Sequence, residues 1–161
     1  MDFYSLRKKR FGFSFRGLVI LLLVLLPNVL FYLYVSKDLS RSGQMMDRYP
    51  VISAIERGSQ LLLMLALVFR VHAGEPSLKS KYVLGMGVFL LLYYALWTRY
   101  FAGGGDYGLI SGSFPVYMGM AVFPSTYFAL AGKWRKDRLG FALAILFGLS
   151  HTLNTYLNFG F

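Results

Sequence analysis

Two groups of polar residues, each spaced like one face of a helix, stand inside segments that are otherwise strongly apolar. The positions are Ser53, Glu56, Arg57 and Gln60 in the first polar stripe, and His151, Asn154, Thr155 and Asn158 in the second polar stripe. Both follow the i, i+3, i+4, i+7 pattern of a single helical face. Because polar groups are costly in hydrocarbon unless they meet water, a ligand or one another, the stripes predict a shared interior site.

The side chains of these stripes could bind a polar head group or move a proton. Glu56 offers a carboxylate, and the imidazole of His151 can gain or lose a proton near neutral pH, so either could act as a general base. A purely structural role, in which a neutral histidine and asparagines join neighbouring helices, stays open. The chain has two histidines, no cysteine and no HExxH-type spacing, so we expect no metal site and no cofactor.

The composition places these stripes in a membrane protein. Of the 161 residues, 57% are hydrophobic, and they gather in long blocks. The net charge of +10 comes from basic residues that flank the apolar blocks, which argues for membrane topology and against nucleic-acid binding. We therefore predict an all-α fold, a polytopic helical bundle that forms one domain.

Five segments have the length and apolar character of membrane-spanning helices. We predict them at 17–36, 51–71, 82–101, 114–132 and 139–158, so that the transmembrane domain covers 17–161. Residues 1–16 form a basic, aromatic segment that we expect on the membrane surface, near anionic lipids. The triplet Gly103-Gly104-Gly105 indicates a flexible outer loop over 102–113, for which slack is the favoured interpretation and a lid is the alternative.

The distribution of basic residues predicts the orientation. If all five segments cross, most lysines and arginines share one side, namely Arg7, Lys8, Lys9, Arg10, Arg16, Arg70, Lys79, Lys81, Lys133, Arg135, Lys136 and Arg138. The other side keeps Lys37, Arg41, Arg48 and Arg99. The positive-inside rule then places the N-terminus in the cytoplasm and the C-terminus outside, in a multi-pass protein of a bacterial cytoplasmic membrane.

The polar residues fall at matching depths in this topology. At a helical rise of 1.5 Å per residue, Glu56 and Asn154 lie in the outer half, and Gln60 and His151 lie near the midplane. Because the inner halves are almost wholly apolar, we expect a pocket that opens outward and no continuous channel. Its predicted lining is Asn28, Glu56, Arg57, Gln60, Trp97, Arg99, His151, Asn154 and Asn158. We expect Arg99 to be the partner of Glu56.

Two short motifs carry a resemblance. The run Pro27-Asn28-Val29-Leu30-Phe31 and the pattern His151-x4-Tyr156-x-Asn158 resemble a group of uncharacterised small multi-span membrane proteins of Gram-positive bacteria. Members of that group also carry a Glu followed by Gly-Arg, whereas this chain has Glu56-Arg57-Gly58, with the last two in reverse order. The resemblance implies that Asn28, Glu56, His151 and Asn158 belong to one site.

The size and helix number are similar to those of the translocator protein family, whose five helices bind porphyrins and sterols. The tryptophan- and proline-rich signature of that family is missing from this chain. The similarity therefore concerns architecture alone.

Three functions stay open at this point. The favoured one is binding, or help in transport, of a small amphipathic or lipid-like ligand in the outward-facing pocket. The second is a noncatalytic subunit, or an immunity or assembly factor, whose polar stripes meet a membrane protein partner. The third is an intramembrane enzyme that acts on a lipid head group, with His151 or Glu56 as general base and Arg57 or Arg99 near anionic charge. Catalysis is the less favoured expectation.

Overall fold

Five long helices and one short helix make up a computed structural model of the protein, which describes residues 10–35, 48–71 and 77–159. The helices are α1 (Phe15–Val35), α2 (Pro50–Phe69), α3 (Lys81–Ala102), α4 (Gly108–Ser111), α5 (Phe114–Trp134) and α6 (Arg138–Asn158). All but α4 are long and apolar enough to cross a membrane. The five predicted spans are thus confirmed as helices, and the predicted boundaries that fall on described residues agree within two residues.

The long helices form a ring around a central space. α5 packs between α3 and α6, α2 packs on the other side of α6, and α1 lies against α2 and, over a smaller area, against α3. The outer surface of the ring is apolar, with exposed leucines such as Leu22, Leu84 and Leu149. Such a surface suits contact with lipid chains. The fold is therefore an all-α multi-pass bundle.

The helix directions bring the predicted basic flanks together at one end of the ring. α1, α3 and α6 begin there, and α2 and α5 end there, so we call it the basic end; we call the opposite end the site end. Arg16, Arg70, Lys81, Lys133 and Arg138 all lie at or beside the basic end. The predicted contributions of Arg7, Lys8, Lys9, Lys37 and Arg41 lie outside the described residues.

A small strand pair closes the basic end and corrects the end of the predicted second span. β1 (Arg10–Phe11) pairs antiparallel with β2 (Arg70–Val71), and the Phe11 ring stacks on that of Phe69 at 6.2 Å. The predicted second span to residue 71 is therefore two residues too long, because the chain leaves the helix to pair with β1. The described part of the predicted surface segment is β1, a short link and the first residues of α1.

A buried arginine fastens this end. The guanidinium of Arg135 donates from Nη1 to the carbonyl of Leu67 at 2.9 Å, and from Nη2 to the carbonyl of Arg70 at 2.6 Å and to the hydroxyl of Ser14 at 3.2 Å. These carbonyls belong to the end of α2, where helical donors run out. Arg70 in turn forms an ion pair with the carboxylate of Asp137 at 3.4 Å. Arg135 was predicted only as a topological charge, whereas it caps α2.

The predicted slack loop is wrong in part. Gly104 and Gly105 do take the left-handed backbone conformation, with φ of 72° and 83°. The chain then forms α4, in which Ile110 is fully buried against the bundle. The link between α3 and α5 is therefore a folded cover at the site end.

Candidate functional site

The two polar stripes face each other across the contact between α2 and α6. Nδ1 of His151 lies 2.8 Å from Oε1 of Glu56. The amide nitrogen of Asn154 donates to Oε2 of Glu56 at 2.6 Å and to the hydroxyl of Ser53 at 3.3 Å. Both carboxylate oxygens are therefore engaged, one by each helical turn of the second polar stripe.

Both helices bury small residues, and α2 and α6 pack closely on each other. α2 buries Ser53, Ser59 and Ala66, and α6 buries Gly140, Ala144 and Ser150. Small side chains let helix backbones come near each other in a membrane. The antiparallel direction of α2 and α6 then brings the start of one stripe to the end of the other.

His151 is held in a defined orientation. Its ring stacks on that of Phe147, one turn earlier in α6, with 5.1 Å between ring centroids and 12° between planes. When Glu56 is ionised, its carboxylate can only accept a hydrogen bond, and Nδ1 of His151 then carries the proton that points to Glu56. Nε2 is then an acceptor on a neutral ring and a donor on a protonated one. The pair Glu56 and His151 thus presents a single oriented nitrogen.

A central cavity of about 530 Å³ lies inside the ring, beside His151. All six helices contribute to its wall, including α4 through Ile110. Four predicted site residues line it, namely Asn28, Gln60, Trp97 and His151. Apolar and aromatic side chains make up much of the rest, among them Phe31, Met64, Met120, Phe128 and Phe147. The wall combines a large apolar area with a few polar groups, as ligand pockets do.

The other predicted site residues lie outside the cavity wall. Glu56 and Asn154 stand behind His151, as described above. Asn158 is exposed and donates to the side-chain oxygen of Asn154 at 2.8 Å. These three residues support the wall and are one or more bonds away from the cavity.

The two arginines of the prediction are exposed. Arg57 interacts electrostatically with Glu56 from the neighbouring position on α2. Arg99 was expected to pair with Glu56, but the bonds of Glu56 come from α6 instead. The order of the helices around the ring explains why Arg99 is not the partner of Glu56. α2 adjoins α1 and α6, while α3 stands on another side of the cavity.

A second polar group joins α1 to α3 on the cavity wall. The amide nitrogen of Asn28 donates to the carbonyl of Val24 at 3.0 Å and to the hydroxyl of Tyr93 at 2.9 Å. Next to it, Pro27 has no N–H to offer the carbonyl of Leu23. The hydroxyl of Tyr94 donates to that carbonyl at 2.6 Å, so the bond lost within α1 is replaced from α3.

Sequence reasoning named Trp97 as a site residue but missed the aromatic face of α3 to which it belongs. Tyr93, Trp97 and Tyr100 are all buried, and the rings of Tyr93 and Tyr100 each meet that of Trp97 edge to face. Aromatic residues near a helix end are typical of the membrane interface, and most of the aromatics here were explained in that way. The available signal was their i, i+4, i+7 spacing, which matches the spacing of the polar stripes.

Two tyrosines close the cavity at the site end. Tyr107, in the link that precedes α4, and Tyr117, in α5, both line it. Partial burial, followed in weight by the neighbouring Tyr117, raises the pKa of Tyr107 above its usual value. Tyr107 and Tyr117 thus interact with each other at this end of the cavity.

The site can bind a molecule through hydrogen bonds and apolar contacts. It also presents one oriented imidazole, that of His151. Within residues 10–35, 48–71 and 77–159, no group of three or more histidine or acidic side chains is placed to hold a metal ion. Comparison of the chain with protein-family models, with curated proteins and with solved structures finds no match.

Proposed function

We propose that this membrane protein binds a small amphipathic or lipid-like molecule in the central cavity and helps to move it through the bilayer. The observation that carries the proposal is the cavity itself, about 530 Å³ in volume, with His151 fixed in its wall by Glu56. Its volume falls within the range of roughly 300–1,000 Å³ that is usual for ligand sites. Its mixed wall suits a molecule with a polar head and an apolar body.

The orientation of the site is part of the proposal. Basic residues concentrate at the basic end, which we assign to the cytoplasmic side of a bacterial membrane by the positive-inside rule. The N-terminus is then cytoplasmic, the C-terminus is outside, and the cavity lies nearer the outer surface. The same basic residues would meet anionic lipids of the cytoplasmic leaflet.

A thermal stabilisation assay tests the binding proposal. The purified protein is heated with members of a panel of lipids and amphipathic metabolites, and the unfolding temperature is recorded for each. A ligand that binds the folded state alone stabilises it by RT ln(1 + [L]/Kd), and so raises this temperature further as its concentration exceeds Kd. We expect at least one panel member to stabilise the wild type, and the double variant Glu56→Gln/His151→Gln to lose that stabilisation.

Arg99→Gln is the matched control, because Arg99 is exposed and outside the cavity wall. It should keep the full ligand effect. Equal stabilisation of the wild type and the double variant would reject the proposed site.

An intramembrane enzyme is the second candidate, favoured by the contact between Glu56 and His151. A carboxylate that holds one nitrogen of a histidine leaves the other nitrogen oriented toward a substrate, which is the arrangement of a general base. In this case His151→Gln would abolish turnover of a lipid substrate while binding persists. A noncatalytic subunit, or an immunity or assembly factor, is the third candidate; four of the eight stripe residues, namely Ser53, Glu56, His151 and Asn154, bond across the α2–α6 contact and need no partner helix for these bonds.

A further inference from the structure

Hydrogen-bond donors outnumber acceptors on the α1–α3 wall of the cavity. Trp97 is 6% exposed, and its Nε1–H has no acceptor within the part of the chain that the structure describes. The indole approaches the hydroxyl of Tyr93, but its N–H does not reach hydrogen-bond geometry with that oxygen. A buried donor without a partner is costly, so this N–H is a place where a ligand atom would gain free energy.

Tyr93 adds a second donor at the same place. It is 3% exposed, and its oxygen accepts from the amide nitrogen of Asn28. The identity of that nitrogen is fixed, because the same atom contacts the carbonyl of Val24, which can only accept. The phenolic proton of Tyr93 therefore has to go elsewhere, and no described residue accepts it. Among the described residues, two buried donors, from Tyr93 and Trp97, thus lack an acceptor.

The cavity wall is also without formal charge, the titratable His151 apart. No Asp, Glu, Lys or Arg is among the described residues that line it. The carboxylate of Glu56 is turned to His151 and Asn154, and Arg57 and Arg99 are exposed outside the wall. A charged head group would lose its hydration here without meeting a fixed opposite charge. The wall therefore favours a polar group that is uncharged.

Trp97 also borders the lipid-facing side of the bundle. It lines a shallow groove of about 130 Å³ between α1 and α3, together with Pro27, Leu30 and Phe101. The groove and the central cavity share Trp97 as a common wall. A molecule dissolved in the bilayer can therefore approach Trp97 from the lipid side, through this groove between α1 and α3.

We infer that the ligand of the central cavity is an uncharged amphiphile whose polar group is a carbonyl-type oxygen, as in a ketone, an ester or a quinone. This oxygen accepts from the Trp97 N–H and the Tyr93 O–H, and the apolar body lies against Phe31, Phe128 and Phe147. The inference rests on the proposed function and specifies its ligand class.

Fluorescence quenching of one tryptophan tests the ligand class. The chain has two tryptophans, so Trp134→Phe leaves Trp97 as the reporter, and Trp97→Phe leaves Trp134, at the basic end, as the control. In lipid nanodiscs, each protein is titrated with three probes that share a twelve-carbon chain with bromine on its second carbon, next to the polar group where there is one: methyl 2-bromododecanoate, 2-bromododecane-1-sulfonate and 2-bromododecane. Bromine quenches indole emission on contact.

We expect the methyl ester to quench Trp97 saturably, and the sulfonate and bromododecane to quench it only in proportion to their concentration in the membrane. Trp134 should give proportional quenching with all three probes. Saturation by the sulfonate but not by the ester would overturn the ligand class while leaving amphiphile binding intact. Saturation by bromododecane equal to that by the ester would show that the donors are irrelevant.

If none of the probes saturates, the inference is rejected, and the thermal stabilisation panel decides the proposed function separately.

A variant tests the donors directly. In the Trp97-only protein, Tyr93→Phe should weaken ester binding about three- to tenfold, the effect of losing one hydrogen bond. Tyr82→Phe, the same change at the basic end of α3, is the control and should leave ester binding unchanged. If Tyr93→Phe also leaves ester binding unchanged, the inference is wrong.

Discussion

Nδ1 of His151 lies 2.8 Å from Oε1 of Glu56, and this contact joins the two polar stripes across the α2–α6 interface. Each residue alone would be a costly polar group in an apolar segment. Together with Asn154, which holds Oε2 of Glu56, they form a network whose outward-facing member is the ring of His151. Polar residues that would each be costly alone thus hold the ring of His151 in a fixed position on the cavity wall.

The network predicts that removal of Glu56 destabilises the bundle. Glu56→Ala leaves His151 and Asn154 without their shared acceptor, so we expect a loss of about 1–2 kcal/mol in the free energy of unfolding. Glu56→Gln keeps the shape and one acceptor and should cost less. Denaturant titration in detergent measures both. Ile55→Ala, an exposed apolar neighbour on α2, is the control and should change stability little; an equal effect of Glu56→Ala and Ile55→Ala would refute the network.

The bond from Tyr94 to Leu23 predicts coupling between α1 and α3. Tyr94→Phe leaves the carbonyl of Leu23 without a donor, at a cost of about 1 kcal/mol. Pro27→Ala restores the backbone N–H that would bond this carbonyl, so the same tyrosine change should cost close to nothing in that background. A double-mutant cycle of unfolding free energies measures the difference. If Tyr94→Phe costs the same in both backgrounds, the hydroxyl does not replace the lost helical bond.

The cap formed by Arg135 predicts a large effect at the basic end. Arg135→Gln removes the donors to Leu67 and Arg70, so we expect the bundle to lose about 2–4 kcal/mol. Arg135→Lys should rescue only part of this, because an ammonium group cannot reproduce the planar fork that reaches several acceptors. Lys136→Asn is the control, since it removes an exposed charge at the next position and asparagine tolerates the left-handed backbone there. Full rescue by lysine would mean that charge alone matters.

Gly17 predicts a backbone contact between α1 and α2. A Cβ at this position would collide with the carbonyl oxygen of Leu67 and press on the Arg135 guanidinium. Gly17→Ala should therefore destabilise the protein, despite the better helix propensity of alanine. Gly87→Ala, in the middle of α3 with open space around it, should stabilise by about 0.5–1 kcal/mol. Thermal unfolding of the pair gives the sign of each change, and a stabilising Gly17→Ala would exclude the close approach.

Hydropathy predicted the spans well because a helix in lipid must satisfy its own backbone within one continuous segment. The end of α2 could not be predicted in this way, since it depends on pairing with β1 and on Arg135, both distant in sequence. The same limit applies to Arg99. Periodicity identifies residues that share one face, but it does not give the order of helices around the ring.

The same limit decides which features of the candidate site could be predicted from the sequence. The residues that form the polar stripes could be found from spacing alone, and so could their meeting on α2 and α6. The sequence could not show which of these residues line the cavity and which stand behind its wall, because this depends on the side of His151 on which each partner lies. The shared face of Tyr93 and Trp97 could be recognised only by comparing their spacing with the spacing of the polar stripes.

Native mass spectrometry tests the central claim most directly, namely that the wall built around Glu56 and His151 holds an amphipathic ligand. The wild type, the double variant Glu56→Gln/His151→Gln and the control Arg99→Gln are purified from membranes in parallel and measured for bound mass. We expect one small molecule on the wild type and on the control, and its loss from the double variant. Wild type without a bound molecule, or equal retention by all three proteins, would contradict the claim.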